Sequence, residues 1–217
     1  MGWRVIAMTR SGMRSAAALA VGLALAAGIT GCRIHVDKDA NGQDQKVEVD
    51  TPFGGVHVNT DQLSAADLGF PAYPGAVTVK SDEHQSADVR LGFGQWEMRV
   101  RVASYQTSDS KDKVSAFYKK ALGRYGDVIT CKDNYPVGTP TTTSQGLTCT
   151  DSDNNGKSIK VDAGDFHYNG SGSELKAGSK RHQHIVGFNE PQNGKTQFAL
   201  VTLDLPAGTD SGSGKSD

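Results

Sequence analysis

The sequence predicts an α+β protein in which an antiparallel sheet is packed by one main helix, at about 109–125. Apolar and polar residues alternate from 95 to 102, which is the period of a half-buried strand. After this strand, apolar residues share one helix face, at Val114, Phe117, Tyr118, Ala121, Leu122 and Tyr125. Strand-like runs stand before and after the helix, which favours an antiparallel sheet.

The ends of this helix carry capping signals. The polar cluster Thr107-Ser108-Asp109-Ser110 offers side-chain oxygens to the first helix N–H groups. Gly123 and Gly126 are expected to end the helix. Its aromatic residues are interpreted as core, with a ligand crevice between helix and sheet as the alternative.

The first 31 residues have the features of a secretory signal peptide. Residues 1–14 contain three arginines and no acidic residue, and 15–27 is apolar. The next residues, Ile29-Thr30-Gly31-Cys32, resemble the lipobox of bacterial lipoproteins. The resemblance implies that Cys32 is lipidated, becomes the mature N-terminus and anchors the chain stably through two acyl chains. The alternatives are an uncleaved membrane helix and ordinary cleavage beside an incidental cysteine.

The resemblance also implies a location and a partner, the membrane reached through lipidated Cys32. Arg33, not aspartate, follows this cysteine, which by analogy with enteric bacteria favours the outer membrane, facing the periplasm. Removing residues 1–31 takes away three arginines from 23 basic residues and leaves 24 acidic ones. The mature chain is therefore mildly acidic and contains no basic block, so nucleic-acid binding is not expected.

The mature chain is predicted to have three parts. Residues 32–69 form a short β-meander and a connector, 70–206 form the α+β domain, and 207–217 form a disordered Gly/Ser/Asp tail. Short strands are expected at 34–36, 46–50, 55–60, 77–80 and 87–93, before the long strand at 95–105. After the helix, strands are expected at 128–132, 145–150, 157–162, 182–188 and 197–205, with a Gly/Ser-rich loop before residue 182.

One further resemblance involves the main domain. The sequence Tyr73-Pro74-Gly75-Ala76, a later Tyr-x-Thr and a helix that bears Phe-Tyr together resemble a module of uncharacterised bacterial envelope proteins. This resemblance implies no particular activity.

Two cysteines remain once Cys32 is assigned to lipid. Cys131 and Cys149 are an even pair in an exported chain, which favours a disulfide. Both lie in strand-like runs, and adjacent antiparallel strands would bring them within bonding distance. The alternative is two buried thiols. The chain contains no CxxC motif, so redox catalysis is not expected.

Two segments match a calcium-binding loop by spacing. Such a loop needs oxygens at positions one, three and five, glycine at six and a carboxylate at twelve. The candidate ligands are Asp37, Asp39, Asn41 and Glu48 in the first segment, and Asp151, Asp153, Asn155 and Asp162 in the second. Strands are expected on both sides of each loop, although helices usually flank such sites. The alternative is that both segments are hairpin turns.

A zinc site is the other metal hypothesis. His182 and His184 are two apart and therefore share one face of a strand. Catalytic zinc needs a third protein ligand, for which Asp165 and His167 are the nearest candidates in sequence. Solvated or packed histidines are the alternative, and neither HExxH nor GxSxG occurs.

These observations predict a non-enzymatic, lipid-anchored protein of the cell envelope with a binding or structural α+β domain. The expected partner is an unidentified envelope protein or ligand, and no cofactor is expected apart from calcium. The two alternatives are a calcium-stabilised extracytoplasmic module and a zinc-dependent hydrolase.

Overall fold

A computed structural model gives the fold for residues 32–38, 44–60, 63–79, 86–150, 161–163, 166–168, 172–189 and 193–206. The predicted signal peptide at 1–31 and the predicted tail at 207–217 lie outside these described residues. Among the described residues, no helix is both long enough and apolar enough to span a membrane.

One large antiparallel sheet dominates the described part of the chain. Its path runs in the order β1-β2-β3-β5-β6-β13-β12-β11-β7-β8, and the short β4 pairs with β6 beside this path. A separate hairpin pairs β9 with β10. The strands are β1 (Arg33–Lys38), β2 (Asp44–Thr51), β3 (Gly54–Asn59), β4 (Val77–Thr78), β5 (Ser86–Phe93), β6 (Trp96–Thr107), β7 (Ile129–Lys132), β8 (Tyr135–Pro136), β9 (Val161–Ala163), β10 (Phe166–Tyr168), β11 (Ser173–Gly178), β12 (His182–Phe188) and β13 (Thr196–Asp204).

A single α-helix, α1 (Lys111–Leu122), packs on one face of this sheet and continues as a short 3₁₀ turn, Gly123–Tyr125. Its buried side chains meet apolar side chains from β11, β12 and β13 and from the connector before β4. The resulting core contains Ala65, Leu68, Phe70, Ala103, Val114, Tyr118, Leu122, Leu175, Ala177, Val186, Phe188, Phe198 and Leu200. The described chain is therefore a sheet-rich protein with one short helix packed on an antiparallel sheet.

The opposite face of the sheet is also buried around β6, β12 and β13. Alternate residues of these strands point away from α1 because successive side chains of a strand point to opposite faces. They form a second core, which contains Val100, Val102, Ile185, Ala199, Val201 and Leu203. The central strands are thus buried on both faces.

The helix begins differently from the prediction. Ser110 is the N-cap residue, but its side chain makes no capping hydrogen bond. The carboxylate of Asp109 instead accepts hydrogen bonds from the Tyr73 hydroxyl at 2.9 Å and from Lys113 at 3.1 Å. The predicted side-chain cap is therefore wrong: Ser110 makes no such bond, and the Asp109 carboxylate binds Tyr73 and Lys113 instead of a helix N–H. At the other end, Gly126 has a φ of 121° and ends the 3₁₀ turn, as a glycine can without strain.

Two predicted features between residues 145 and 182 are wrong. Residues 145–150 are a loop and not a strand, because Thr143 closes the loop by two hydrogen bonds to Leu147. The Thr143 hydroxyl accepts from the Leu147 N–H at 2.9 Å, and the Thr143 N–H donates to the Leu147 carbonyl at 3.0 Å. The predicted Gly/Ser-rich loop contains β11, which pairs with both β7 and β12. Both faces of β11 are buried, including the charged residues Glu174 and Lys176, which a polar face would normally expose to solvent.

The predicted N-terminal meander is present as β1, β2 and β3, and it is continuous with the main sheet because β3 pairs with β5. We call β1, β2, β3 and β5 the N-terminal wing. One face of the wing is aliphatic, with Ile34, Val49, Val56 and Leu91 in one cross-strand row and Val36, Val47, Val58 and Val89 in the next. The other face carries charged residues.

Candidate functional site

The candidate lipidation residue stands at one end of the wing. Cys32 is exposed and directly precedes β1. Arg33 lies opposite Asp50 in the sheet, so Cys32 is at the end where β2 turns into β3. Whether the thiol is lipidated stays a prediction, but no residue separates it from the folded sheet.

Two turns meet at this same end. Gly55 lies opposite Gly92, which places the β2–β3 turn beside the β5–β6 turn. A Cβ on Gly54 would lie 2.1 Å from the carbonyl oxygen of Gly92 and 2.6 Å from Cδ1 of Phe93. Only glycine therefore permits this close approach of the two turns.

Aromatic side chains cluster on these turns. Phe53 is 84% exposed and Phe93 is 53% exposed. The ring of Phe93 lies 6.0 Å from that of Trp96, its partner across β5 and β6. We call Cys32, Phe53, Phe93 and Trp96 the aromatic end of the sheet.

A shallow charged groove of about 320 Å³ crosses the charged face of the wing. Its polar lining consists of Lys46, Glu48, His57, Asn59, Asp88 and Arg90. The residues come from β2, β3 and β5, and the strand register brings them together: Glu48 lies opposite His57, and His57 lies opposite Arg90. The mixed charges suit a polar partner that carries both donors and acceptors.

The carboxylates of the charged groove are held ionised. A hydrogen bond from Lys46, at 2.8 Å, lowers the pKa of Glu48. Burial disfavours the charged form of Asp88, but the hydrogen bonds and charge of Arg99 outweigh it and lower the pKa of Asp88. The Arg99 Nε donates to Asp88 Oδ1 at 2.8 Å. These two carboxylates of the groove are therefore ionised near neutral pH.

The predicted disulfide is confirmed. Cys131 and Cys149 are bonded, with Cα atoms 5.6 Å apart. Cys131 lies in β7, whereas Cys149 lies in the loop that replaces the predicted strand, so the pair is not formed by two adjacent strands. The carbonyl of Cys149 accepts a hydrogen bond from Lys176 at 2.9 Å, and Lys176 pairs with Glu174 at 2.7 Å in the interior.

The two histidines of the zinc hypothesis lie on one face of β12, as the spacing predicts, but in different surroundings. His182 is exposed, and its Nδ1 lies 2.9 Å from a carboxylate oxygen of Asp204. The ring of His184 stacks on Tyr125 at a centroid distance of 3.6 Å. Burial, together with the charge of Arg124, lowers the pKa of His184 to about 4.

The remaining zinc candidates are not brought to this pair in the described residues. Asp165 lies outside them, and His167 lies in the separate hairpin strand β10. The residues that the structure describes contain no group of three or more His, Cys, Asp or Glu that could hold a metal ion.

The calcium candidates fall partly outside the described residues. In the first segment Asp39 and Asn41 are outside, while Asp37 and Glu48 lie on the paired strands β1 and β2. Asp37 contacts His35 at 3.1 Å, and Glu48 contacts Lys46 at 2.8 Å.

In the second segment only Asp162 is described, in β9, while Asp151, Asp153 and Asn155 lie outside. Strands flank the first segment, as expected from the sequence.

Neither the charged groove nor the aromatic end is among the sites predicted from the sequence. The signal for the groove was the alternation of charged and aliphatic residues in 46–50, 55–59 and 86–93. That alternation predicts one charged face, but only the strand register shows which charges become neighbours.

The comparisons with known proteins add no assignment. No family model matches this chain, and searches of curated proteins and of solved structures found no significant match.

Proposed function

We propose that this chain is a non-enzymatic, lipid-anchored protein of the cell envelope whose α+β domain binds an envelope partner or ligand. The observation that carries the proposal is the position of Cys32. The cysteine that ends the lipobox-like sequence is exposed and stands directly before β1, where a lipid can be attached without disturbing the sheet.

The proposed anchor sets the location of the domain. A diacylglyceryl group brings two acyl chains, which give stable membrane attachment. Arg33 after the cysteine favours the outer membrane, with the domain in the periplasm. A disulfide between Cys131 and Cys149 suits an oxidising compartment outside the cytoplasm.

The proposed binding surface is the charged groove. Its side chains present carboxylates, a guanidinium, an ammonium and an amide on paired strands. Such a surface offers hydrogen bonds and ion pairs to a polar partner, and electrostatic complementarity gives specificity more than affinity.

The anchor is tested with Cys32→Ala and, separately, with globomycin, an inhibitor of lipoprotein signal cleavage. We expect each treatment to leave an unprocessed precursor and to remove the chain from the outer-membrane fraction. Unchanged processing and unchanged membrane retention in both arms would contradict the proposal. Mass spectrometry of the N-terminal peptide checks directly whether Cys32 carries lipid.

Partner binding is tested by crosslinking in intact cells, followed by mass spectrometry. Arg90→Glu reverses an exposed charge of the groove, and Arg181→Glu is the matched control because Arg181 is exposed elsewhere. We expect Arg90→Glu to remove a specific crosslinked species that Arg181→Glu retains. The same crosslinks in both variants would contradict the assignment of the groove.

A further inference from the structure

Exposed apolar side chains of the N-terminal wing converge on one end of the sheet. Phe53 is 84% exposed, Ile34 is 71% exposed and Phe93 is 53% exposed. Ile34 is the second residue of β1, so it lies near the same end as the two aromatic turns. Large exposed apolar side chains gathered at one end of a sheet suit a surface that contacts another apolar phase or partner.

The candidate anchor lies at this end without a spacer. One residue of extended chain spans about 3.3–3.6 Å. A lipid on Cys32 therefore holds Arg33 and the start of β1 within a few ångströms of the bilayer surface. The β2–β3 turn with Phe53 follows directly from the strand that pairs with β1.

We propose that the aromatic end docks into the interfacial region of the bilayer that holds Cys32, as a second membrane contact beside the lipid. This inference rests on the proposed lipid anchor and adds an orientation to it. Phe53 and Phe93 insert their rings, and Trp96 places its indole at the level of the headgroups, where amphipathic rings are favoured. Insertion is shallow, of the order of 5–10 Å, so water and headgroups still hydrogen-bond the turn backbones.

The chemistry of this end favours lipid over a second copy of the chain. A stable protein interface buries about 800 Å² on each partner, from about 20–30 residues. The aromatic end offers three aromatic side chains next to the candidate lipid attachment residue. A bilayer needs only a few inserted rings when an anchor already holds the protein at its surface.

The chain carries its own probe for this contact. It contains two tryptophans, Trp3 and Trp96, and signal cleavage before Cys32 would remove the first. The mature protein is reconstituted in phosphatidylethanolamine–phosphatidylglycerol vesicles, with or without lipids brominated near the headgroup end of their acyl chains. We expect bromine to reduce the Trp96 fluorescence by roughly half, because shallow insertion brings the indole to this depth.

Variants separate insertion from mere tethering. The double variant Phe53→Ser/Phe93→Ser is expected to retain less than about a quarter of the quenching, since both inserted rings are lost. The single variant Phe53→Ser gives an intermediate value and alters only a highly exposed side chain. Tyr135→Ser is the matched control, because Tyr135 is 74% exposed in β8 at the opposite edge of the sheet. It should leave the quenching unchanged.

The outcomes distinguish the inference from the anchor on which it rests. Lipid on Cys32 with no quenching of Trp96, or with quenching that the double variant keeps, would overturn the docking and leave the anchor intact. Shielding of Trp96 that needs no lipid and grows with protein concentration would assign this end to a second copy instead, and would also overturn the docking.

If mass spectrometry finds no lipid on Cys32, the proposed function fails, but docking is still measured. The full chain with Trp3→Phe is then coupled to a maleimide lipid through the exposed thiol of Cys32. Quenching in this arm would support an interfacial surface at the aromatic end, and its absence would overturn one.

Discussion

The sheet has two halves, the N-terminal wing and the remaining strands from β6 to β8 along the sheet path, which we call the central half. Both halves alternate their side chains between two faces, but they differ in how deeply these side chains are buried. Around β12 and β13, side chains on both faces are buried: Leu200 is 0% exposed on the face under α1, and Val201 is 3% exposed on the other. In the N-terminal wing, aliphatic residues also fill alternate positions, yet Ile34 is 71% and Val36 is 41% exposed. The difference indicates that the central strands carry most of the core, whereas the wing leaves apolar side chains exposed to solvent.

Charged pairs show the same contrast. Lys176 and Glu174 form an ion pair at 2.7 Å with side chains that are each 1% exposed, within the central half. In the wing, the Lys46–Glu48 pair has side chains that are 43% and 28% exposed. Exposed pairs contribute little to stability, typically about 0–1 kcal/mol. The exposed charge pairs of the wing are therefore expected to add little to the stability of the fold.

The largest expected effect compares two leucines of the two halves. Leu200→Ala should lower the free energy of unfolding by about 3 kcal/mol, because it opens a cavity in a fully buried core. Leu91→Ala, on the half-buried aliphatic face of the wing, should cost about 1 kcal/mol or less, since water already reaches the site. Urea unfolding of both variants measures the difference. Equal costs would contradict the contrast between the halves.

The disulfide should have a similar effect on the central half. It joins residues 18 apart, and cross-links of this span stabilise by about 3 kcal/mol in the chain-entropy model. Cys131→Ala/Cys149→Ala should lower the midpoint of urea unfolding accordingly, and reduction of the native protein should reproduce the loss. The variant Cys32→Ala is the control and should leave the midpoint unchanged. A double variant as stable as the native chain would show that β7 and the loop hold together unaided.

The disulfide also shows how far the sequence predicts this fold. The two cysteines left after Cys32 and the predicted export of the chain led to the prediction of the pair, and both come from the sequence alone. The way the pair forms was not predictable, because Thr143 closes a loop through its own hydroxyl and backbone. Such local closure competes with a strand and leaves no clear mark on the pattern.

The long elements of the sheet and the helix were predicted, whereas the short strand β11 inside a Gly/Ser-rich stretch was not. The long strand β6 and the helix α1 have alternating or helical polarity and were found near their predicted bounds. In β11 the polar and apolar residues of SELKAG alternate over only four positions beside glycines and serines, and its charged residues Glu174 and Lys176 are buried as a pair instead of facing solvent. The charged groove depends on register across three strands, which no local pattern specifies.

A smaller effect is expected from His184, through its pKa of about 4 against an ordinary value of 6.5. The unfolded chain binds a proton near pH 6.5 while the folded chain does not, so stability is complete above this pH and falls as pH drops towards 4. Because the ring keeps some solvent contact, we expect a loss of about 1–2 kcal/mol across this window. Thermal unfolding as a function of pH measures it.

His184→Gln should flatten this pH dependence, whereas His182→Gln should keep it because His184 remains. The carboxylates whose pKa is lowered in the folded chain are protonated only at lower pH. They therefore change the stability mainly below the range in which His184 acts. A slope that survives in His184→Gln would assign the effect to other groups.

A still smaller effect is expected in the wing from Asp88→Asn. Asp88 accepts hydrogen bonds from Arg99, and the two side chains are 16% and 28% exposed. The substitution should cost about 1 kcal/mol, because the guanidinium then keeps a neutral partner in a half-buried site. Asp37→Asn, at a carboxylate that is 54% exposed, is the control and should cost nothing measurable. A cost well above about 1 kcal/mol would show that the Asp88–Arg99 pair contributes substantially to the stability of the fold.

The smallest effect on stability is expected at the aromatic end, where Phe53→Ser should change the free energy of unfolding by less than about 0.5 kcal/mol. Phe53 is 84% exposed, so its replacement removes almost no buried area. Thermal unfolding of the chain in solution, beside Tyr135→Ser as a second exposed aromatic position, measures the change. A loss of more than about 1 kcal/mol would mean that the Phe53 side chain stabilises the fold by holding the two turns together. An unchanged stability would show that the Phe53 ring contributes nothing to the fold, as the proposed insertion into a bilayer requires.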